Sequence, residues 1–328
     1  MQELEQRIFS INGEQEFEAL AMEIFHLQAI ENLTYAAFLS HMGVDHARVN
    51  TPVEIPFLPI ELFKSHQVIT GNHEPEMRFE SSGTTGQVPS RHFLVSEKIY
   101  RESFLRTFSA SYGKPEDLCI LALLPSYLER QHSSLVYMMD HLIRLSRDSD
   151  SGFYLEDLAG LAEVLQKRAK DGHPTLLLGV SFALLDLAEK YPVKLTPNIT
   201  VMETGGMKGR REEMIREELH AILKGAFLTH EIHSEYGMTE LLSQAYAKDG
   251  KRFHPPPWMR VVTRDLYDPL TLLPPGRSGG INVIDLANLW SCSFIAAGDV
   301  GRVHTDGSFE VTGRFDQAEV RGCNLMVV

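Results

Sequence analysis

Hydroxyl-bearing residues and glycines crowd one short segment, Glu80-Ser81-Ser82-Gly83-Thr84-Thr85-Gly86. Glycine lets a backbone approach closely and turn through positive φ, while successive N–H groups and hydroxyls surround anionic oxygens without carrying charge. That composition suits a phosphate, although alone the run reads equally well as an ordinary polar loop. It is not a Walker loop, because it continues Gln87-Val88-Pro89-Ser90-Arg91 without the Gly-Lys-Ser/Thr ending. A second segment, Ser234-Glu235-Tyr236-Gly237-Met238-Thr239-Glu240, offers an aromatic to stack on a nucleobase, a hydroxyl for a phosphate oxygen and a carboxylate for Mg²⁺, which prefers hard oxygen ligands. In Ala297-Gly298-Asp299-Val300-Gly301 a carboxylate between glycines can accept hydrogen bonds from ribose hydroxyls, and Gly313-Arg314-Phe315-Asp316 sets a cation beside a turn. Taken singly, the last two are more often surface turns. His230-Glu231-Ile232-His233 falls one residue short of the zinc-helix spacing, so both histidines are expected to pack on a strand.

The elements that must carry these residues follow from periodicity. Phe17, Leu20, Ala21 and Phe25 recur at helical spacing, which predicts a helical start to the chain, and Pro52, Pro56, Pro59 and Pro75 break the connection that follows. Apolar runs at Cys119–Leu124, Thr175–Val180 and Ile199–Met202 then alternate with amphipathic stretches at Leu155–Ala169, Phe182–Lys190 and Gly209–Lys224. Strand–helix repetition of this kind predicts an α/β fold with parallel sheets covered by helices, and the loop after an apolar segment near Phe227 falls where ligands bind such sheets. The carboxy-terminal quarter, as in Gly279-Gly280-Ile281-Asn282-Val283-Ile284, predicts a smaller antiparallel β region. The expected division is a helical segment and connection over 1–75, a core over 76–312 and a hinge-like segment with a short tail over 313–328.

Composition excludes several functions. With 328 residues and 43% hydrophobic content the chain has a substantial core, and its net charge of −13 argues against non-specific binding to nucleic acid or an anionic membrane. The acidic amino terminus lacks a secretory signal and no apolar stretch reaches spanning length. Cys119, Cys292 and Cys323 form neither a zinc pattern nor a disulfide framework, so a cytoplasmic protein with reduced thiols is expected. Cys119 and Cys292 are expected core residues, and Trp258 and Trp290 packing residues.

Taken in order, the Ser/Thr/Gly loop, Tyr-Gly-Met-Thr-Glu, Gly-Asp and Gly-Arg-Phe-Asp resemble the core motifs of the acyl- and aryl-adenylate-forming superfamily over most of the chain. Pro56-Phe57-Leu58-Pro59-Ile60-Glu61-Leu62-Phe63-Lys64, Leu124-Pro125-Ser126-Tyr127-Leu128-Glu129-Arg130-Gln131 and Val320-Arg321-Gly322-Cys323 further resemble the acyl-protein synthetases of bacterial bioluminescence. The resemblance implies the large-domain fold of adenylate-forming enzymes and ATP-dependent activation of a carboxylic, by this likeness fatty, acid to acyl-AMP. It implies that Ser81, Ser82, Gly83, Thr84, Thr85 and Gly86 hold the phosphates of ATP, that Gly205, Gly206 and Met207 line the adenine pocket, and that Tyr236, Gly237 and Met238 lie by the nucleotide. Thr239 would touch the α-phosphate, Glu240 bind Mg²⁺, Asp299 hold ribose, Arg314 approach ribose or phosphate, and Asp316 mark the hinge. Cys323 would then accept the acyl group, Arg321 favouring its thiolate, for hand-over to an acyl-CoA reductase partner.

The sequence departs from the superfamily in one respect. Val328 follows soon after Asp316, so a complete small carboxy-terminal domain is not expected, and no lysine follows Lys251. Arg91, Arg314 or Arg321 would supply the missing positive charge. Three readings of function therefore stand together: acyl transfer to Cys323, a CoA ligase using free CoA, and an inactive nucleotide-binding scaffold. His132, Ser133 and Ser134 read either as acyl-pocket residues or as a helix start, and a homo-oligomer is left open.

Overall fold

The computed structural model describes residues 2–81, 88–125, 132–206, 211–212 and 214–315. Fully apolar runs become the centre of a six-stranded sheet whose order is Gly152–Phe153, Cys119–Leu123, Thr175–Val180, Ile199–Thr204, His233–Tyr236 and Ala245–Ala247. The first five run parallel and only Ala245–Ala247 is antiparallel. Strands buried on both faces need helices on both faces, which is why Cys119–Leu123 and Thr175–Val180 read as unbroken apolar runs and not as alternating ones. The mixed α/β architecture agrees with the sequence expectation.

Boundaries differ in three places. Between Cys119–Leu123 and the helix Leu158–Asp171 lies a further helix, Ser134–Leu145, together with the short strand Gly152–Phe153. Ser133 starts that helix by accepting a hydrogen bond from the Val136 N–H, so the helix-start reading of these hydroxyls holds. Helix Leu158–Asp171 ends at Gly172, whose φ of 72° suits a residue without a Cβ. The helix expected from Gly209 begins at Arg216 and runs to Phe227.

A second sheet is built mainly from the carboxy-terminal quarter. Met259–Arg264, Ser278–Asp285, Phe294–Val303 and Phe309–Arg314 pair antiparallel, while Leu58–Pro59 joins Phe294–Val303 in parallel from the proline-rich connection. The strands Met77–Glu80 and Arg91–Leu94 form a separate antiparallel hairpin, and the hydroxyl-rich segment connects them.

The amino-terminal helix Glu14–Glu31 buries Phe17, Leu20, Ala21 and Phe25, as its spacing predicts. It also buries Gln28, whose carboxamide donates to the carbonyls of Asn288 (3.1 Å) and Leu289 (3.0 Å) and accepts from the Ser293 N–H (2.9 Å). Cys119 and Cys292 are buried, and the Trp258 indole donates to Ser243 Oγ (2.9 Å) within the core. Trp290 packs as expected, its indole donating to Glu5 (2.8 Å). His233 lies on a strand against Tyr112, but His230 is exposed outside it, contrary to expectation. No helix among the described residues is long and apolar enough to cross a membrane.

Candidate active site

The segment Tyr236–Glu240 leaves the carboxyl end of strand His233–Tyr236 and opens on a cleft of about 1400 Å³ between the two sheets' loops. Gly237, Met238, Thr239 and Glu240 all line the cleft, Glu240 with only 6% of its surface exposed. The loop is held from behind by side chains distant in sequence. His92 Nδ1 bonds the Thr239 carbonyl (2.9 Å), with its Nε2 on Ser291 Oγ (2.8 Å). Asn288 Nδ2 donates to the Glu240 carbonyl (2.8 Å), and Asp285 accepts from the N–H groups of Leu242 (3.0 Å) and Ser243 (2.9 Å). A loop so fastened presents its backbone and hydroxyl in one arrangement, which is what a reacting group needs.

Asp299 and Arg314 face each other because strands Phe294–Val303 and Phe309–Arg314 pair them in register. Arg314 Nε lies 3.5 Å from Asp299 Oδ1, and the Tyr236 hydroxyl donates to Oδ2 at 3.0 Å. Burial pushes the Asp299 carboxyl above its ordinary range, partly opposed by Arg314, and pushes the Tyr236 hydroxyl well up, so that the phenol remains a donor. Tyr236 packs edge-on against Phe309 (5.1 Å between ring centres) and tilted against Phe253 (5.7 Å), which fixes its plane while it still lines the cleft.

Burial likewise raises the Glu240 carboxyl, against a hydrogen bond from Ser90. Ser81 sits at the foot of the hydroxyl-rich loop, its Oγ accepting from the Ser90 N–H at 2.8 Å, and it lines the same cleft. Gly205, at φ 67°, and Gly206 line the cleft beyond strand Ile199–Thr204. Ser82, Gly83, Thr84, Thr85, Gly86, Met207, Asp316, Arg321 and Cys323 lie outside the described residues.

Several cleft residues carry no local sequence signal. Arg216 contacts Glu203 (Nε to Oε1, 3.3 Å) and donates to the Val311 carbonyl (3.2 Å). For Glu203, burial alone would raise the carboxyl, yet hydrogen bonding from His220 and the charge of Arg216 hold it below its ordinary value. Arg264 is buried and donates to the carbonyls of Ile281 (2.5 Å) and Ala297 (2.8 Å). Arg216, Arg264, Lys64 and Lys251 therefore join Arg314 as cations of the cleft, whereas Arg91 is not among the described residues that line it. Glu203 alone had a signal, since it lies at the carboxyl end of strand Ile199–Thr204, just before the Gly205-Gly206 turn.

The architecture is the large-domain fold of adenylate-forming enzymes. ATP-bound MatB from Rhodopseudomonas palustris superposes with a TM-score of 0.56 at 17% identity, over 74% of this chain and 49% of that one. The long-chain-fatty-acid-CoA ligase FadD1 from Archaeoglobus fulgidus gives 0.53 at 16%, over 74% and 52%. The chain thus spans about half the length of these structures. By sequence the chain belongs to the acyl-protein synthetase family LuxE, which it matches over residues 13–328. No curated protein matches it.

Proposed function

We propose that the protein activates a carboxylic acid with ATP, releasing pyrophosphate and forming acyl-AMP, and then passes the acyl group to Cys323 for hand-over to an acyl-CoA reductase. The observation that carries the reading is the convergence of Ser81, Gly205, Gly206, Tyr236, Thr239, Glu240, Asp299 and Arg314 on one cleft. Family membership and the ATP bound to the MatB neighbour support it.

In this reading Asp299, aligned by Tyr236 and Arg314, receives the ribose hydroxyls, and Thr239 meets the α-phosphate. Arg314 and the loop beginning at Ser81 face the phosphates, with Ser82, Gly83, Thr84, Thr85 and Gly86 completing the cradle. Two anions must meet when a carboxylate attacks the α-phosphate, so preorganised donors and cations dominate the chemistry. Glu240 fits a Mg²⁺ ligand: a carboxylate on the cleft wall that leaves most coordination positions to phosphate oxygens and water is what this ion favours. When bound, the ion would neutralise phosphate charge. In the second step the Cys323 thiolate attacks the acyl carbon, the bond to the phosphate oxygen breaks, and AMP leaves with its electron pair. The family name supports an acyl substrate, for which a fatty acid is the proposed identity, and a cytoplasmic location suits the free thiol.

Intact-protein mass spectrometry after incubation with ATP, Mg²⁺ and a panel of acids tests both steps. A hydroxylamine-labile adduct on the parent and none on Cys323→Ala is expected. An adduct of equal yield on the variant refutes the acceptor role. Turnover that requires free CoA assigns the protein to the CoA ligases instead, and absence of acid-dependent pyrophosphate release refutes activation.

A further inference from the structure

Pairing along the carboxy-terminal sheet is interrupted where Asp299 stands. Strands Ser278–Asp285 and Phe294–Val303 pair Gly280 with Val300 and Asn282 with Ala296. Between these pairs lie one residue on the first strand, Ile281, and three on the second, Ala297, Gly298 and Asp299. Surplus residues make a bulge, which bends a strand and re-aims the side chains it carries. On the opposite side the ladder to Phe309–Arg314 also shifts, between Val300 and Gly301. Asp299 therefore projects from a stretch of main chain whose position the regular ladder does not set.

Arg264 bridges the interruption. Strand Met259–Arg264 sets it opposite Gly280, and its side chain crosses that glycine to reach the bulge. The guanidinium donates to the Ile281 carbonyl (2.5 Å) and Asn282 Oδ1 (2.6 Å) on one strand and to the Ala297 carbonyl (2.8 Å) on the other. Phe315 covers its face, with 5.1 Å from Cζ to the ring centre. Position 280 must lack a side chain for this, since a Cβ there would lie 2.8 Å from Arg264 Cζ and 2.9 Å from Phe315 Cζ. Arg264 is 7% exposed, and the oxygens it binds are neutral. A buried charge met in that way is a poor source of stability, whereas a rigid fork of donors is well suited to holding two strands at one separation.

We infer that Arg264 is the positioning residue of the nucleotide site: by clamping both strands of the bulge it aims Asp299 at the ribose hydroxyls. This rests on the proposed ribose contact of Asp299. Tyr236 and Arg314 hold the carboxylate itself, whereas Arg264 holds the main chain behind it. Asp299 follows Ala297 by two residues, a span of at most about 7 Å, so an anchored Ala297 carbonyl leaves the carboxylate little room to wander. Burial pushes the Asp299 carboxyl up, and the charge of Arg264, with those of Arg314 and Arg216, opposes the rise, so the guanidinium is close enough to be felt there. Without the clamp the carboxylate keeps its partners but loses its fixed place, and lost preorganisation is read as lost affinity for the groups that it met.

The test compares, by calorimetry on the full chain, the affinities for ATP and for 2′,3′-dideoxy-ATP, which lacks the ribose hydroxyls. The parent is expected to favour ATP by roughly 10-fold or more, the worth of hydrogen bonds to a charged group. Arg264→Gln is expected to bring that ratio close to one by weakening ATP while leaving the dideoxy analogue bound as before. Where Arg264→Gln does not fold, Gly280→Ala, which displaces the guanidinium without removing it, is read in the same way. A preference for ATP that survives in the folded variant overturns the inference. So does an equal loss for both nucleotides, which is what a general structural role or a phosphate contact of Arg264 would give. A parent that binds the two nucleotides equally shows instead that Asp299 does not meet the ribose hydroxyls; the proposed ribose contact has then failed, and the inference falls with it.

Discussion

His92 should make the protein sensitive to mild acid. It is 1% exposed, and burial pushes its imidazole down to about 4 from an ordinary value of 6.5. Its two ring nitrogens already have partners, the Thr239 carbonyl and Ser291 Oγ, which a neutral ring satisfies by donating to the first and accepting from the second. The folded pKa lies below the unfolded one, so between pH 6.5 and 4 the unfolded chain holds the extra proton, and stability falls as pH falls through that window. From pH 7 to 5 the cost from this one group is about 2 kcal/mol, a sizeable part of the 5–15 kcal/mol typical of a folded protein. Other groups titrate in the same range; burial raises Asp285 to about 6, and that group changes stability in the opposite sense. The comparison is therefore with His92→Gln, which shares every other titration. Urea denaturation of both proteins at pH 7 and pH 5, followed by tryptophan fluorescence, should show the parent losing about 2 kcal/mol more than the variant. A difference below about 0.5 kcal/mol, within the error of such extrapolations, would refute a buried neutral His92.

Asp299→Ala removes the acceptor shared by Tyr236 and Arg314 and the proposed ribose contact. ATP affinity measured by calorimetry should fall roughly 10-fold or more, the worth of a hydrogen bond to a charged group, and unchanged affinity would remove Asp299 from the nucleotide site. Arg168, 7% exposed, binds Asp148 and Asp150 (2.5 Å each) and Asp171 (3.0 Å). Arg168→Met leaves three carboxylates without their common cation and should cost about 3–5 kcal/mol in urea unfolding; a loss under about 1 kcal/mol would show that solvent screens the cluster.

What the sequence made legible is what short segments encode locally. Thr175–Val180 and Ile199–Met202 are largely apolar runs, the pattern of a strand buried on both faces, and the first coincides with its strand while the second falls two residues short of the strand's end at Thr204. The Tyr236–Glu240 segment was legible because its residue types follow an apolar stretch and end a parallel strand. The helix Ser134–Leu145 was only half visible, since its cap Ser133 reads as readily as a pocket residue, and in the fold it is both cap and cleft wall. Arg216 and Arg264 stayed hidden because their roles depend on strand register and on chain segments brought in from elsewhere.

The least visible part is the scaffold behind the site. Gln28 lies on an amphipathic helix whose pattern predicts only packing, yet its carboxamide fixes the backbone at Asn288, Leu289 and Ser293. Asn288 in turn holds the Glu240 carbonyl and, through Oδ1, the Leu242 N–H at 3.0 Å. A polar residue more than two hundred positions away thus sets where the proposed metal ligand and phosphate contact stand. Apolar periodicity determines that the helix is buried, while the single amide within the buried face determines what it is buried against. Replacing Gln28 by leucine would preserve the first property and lose the second, so its effect belongs to the geometry of the Tyr236–Glu240 loop as much as to the stability of the amino-terminal helix.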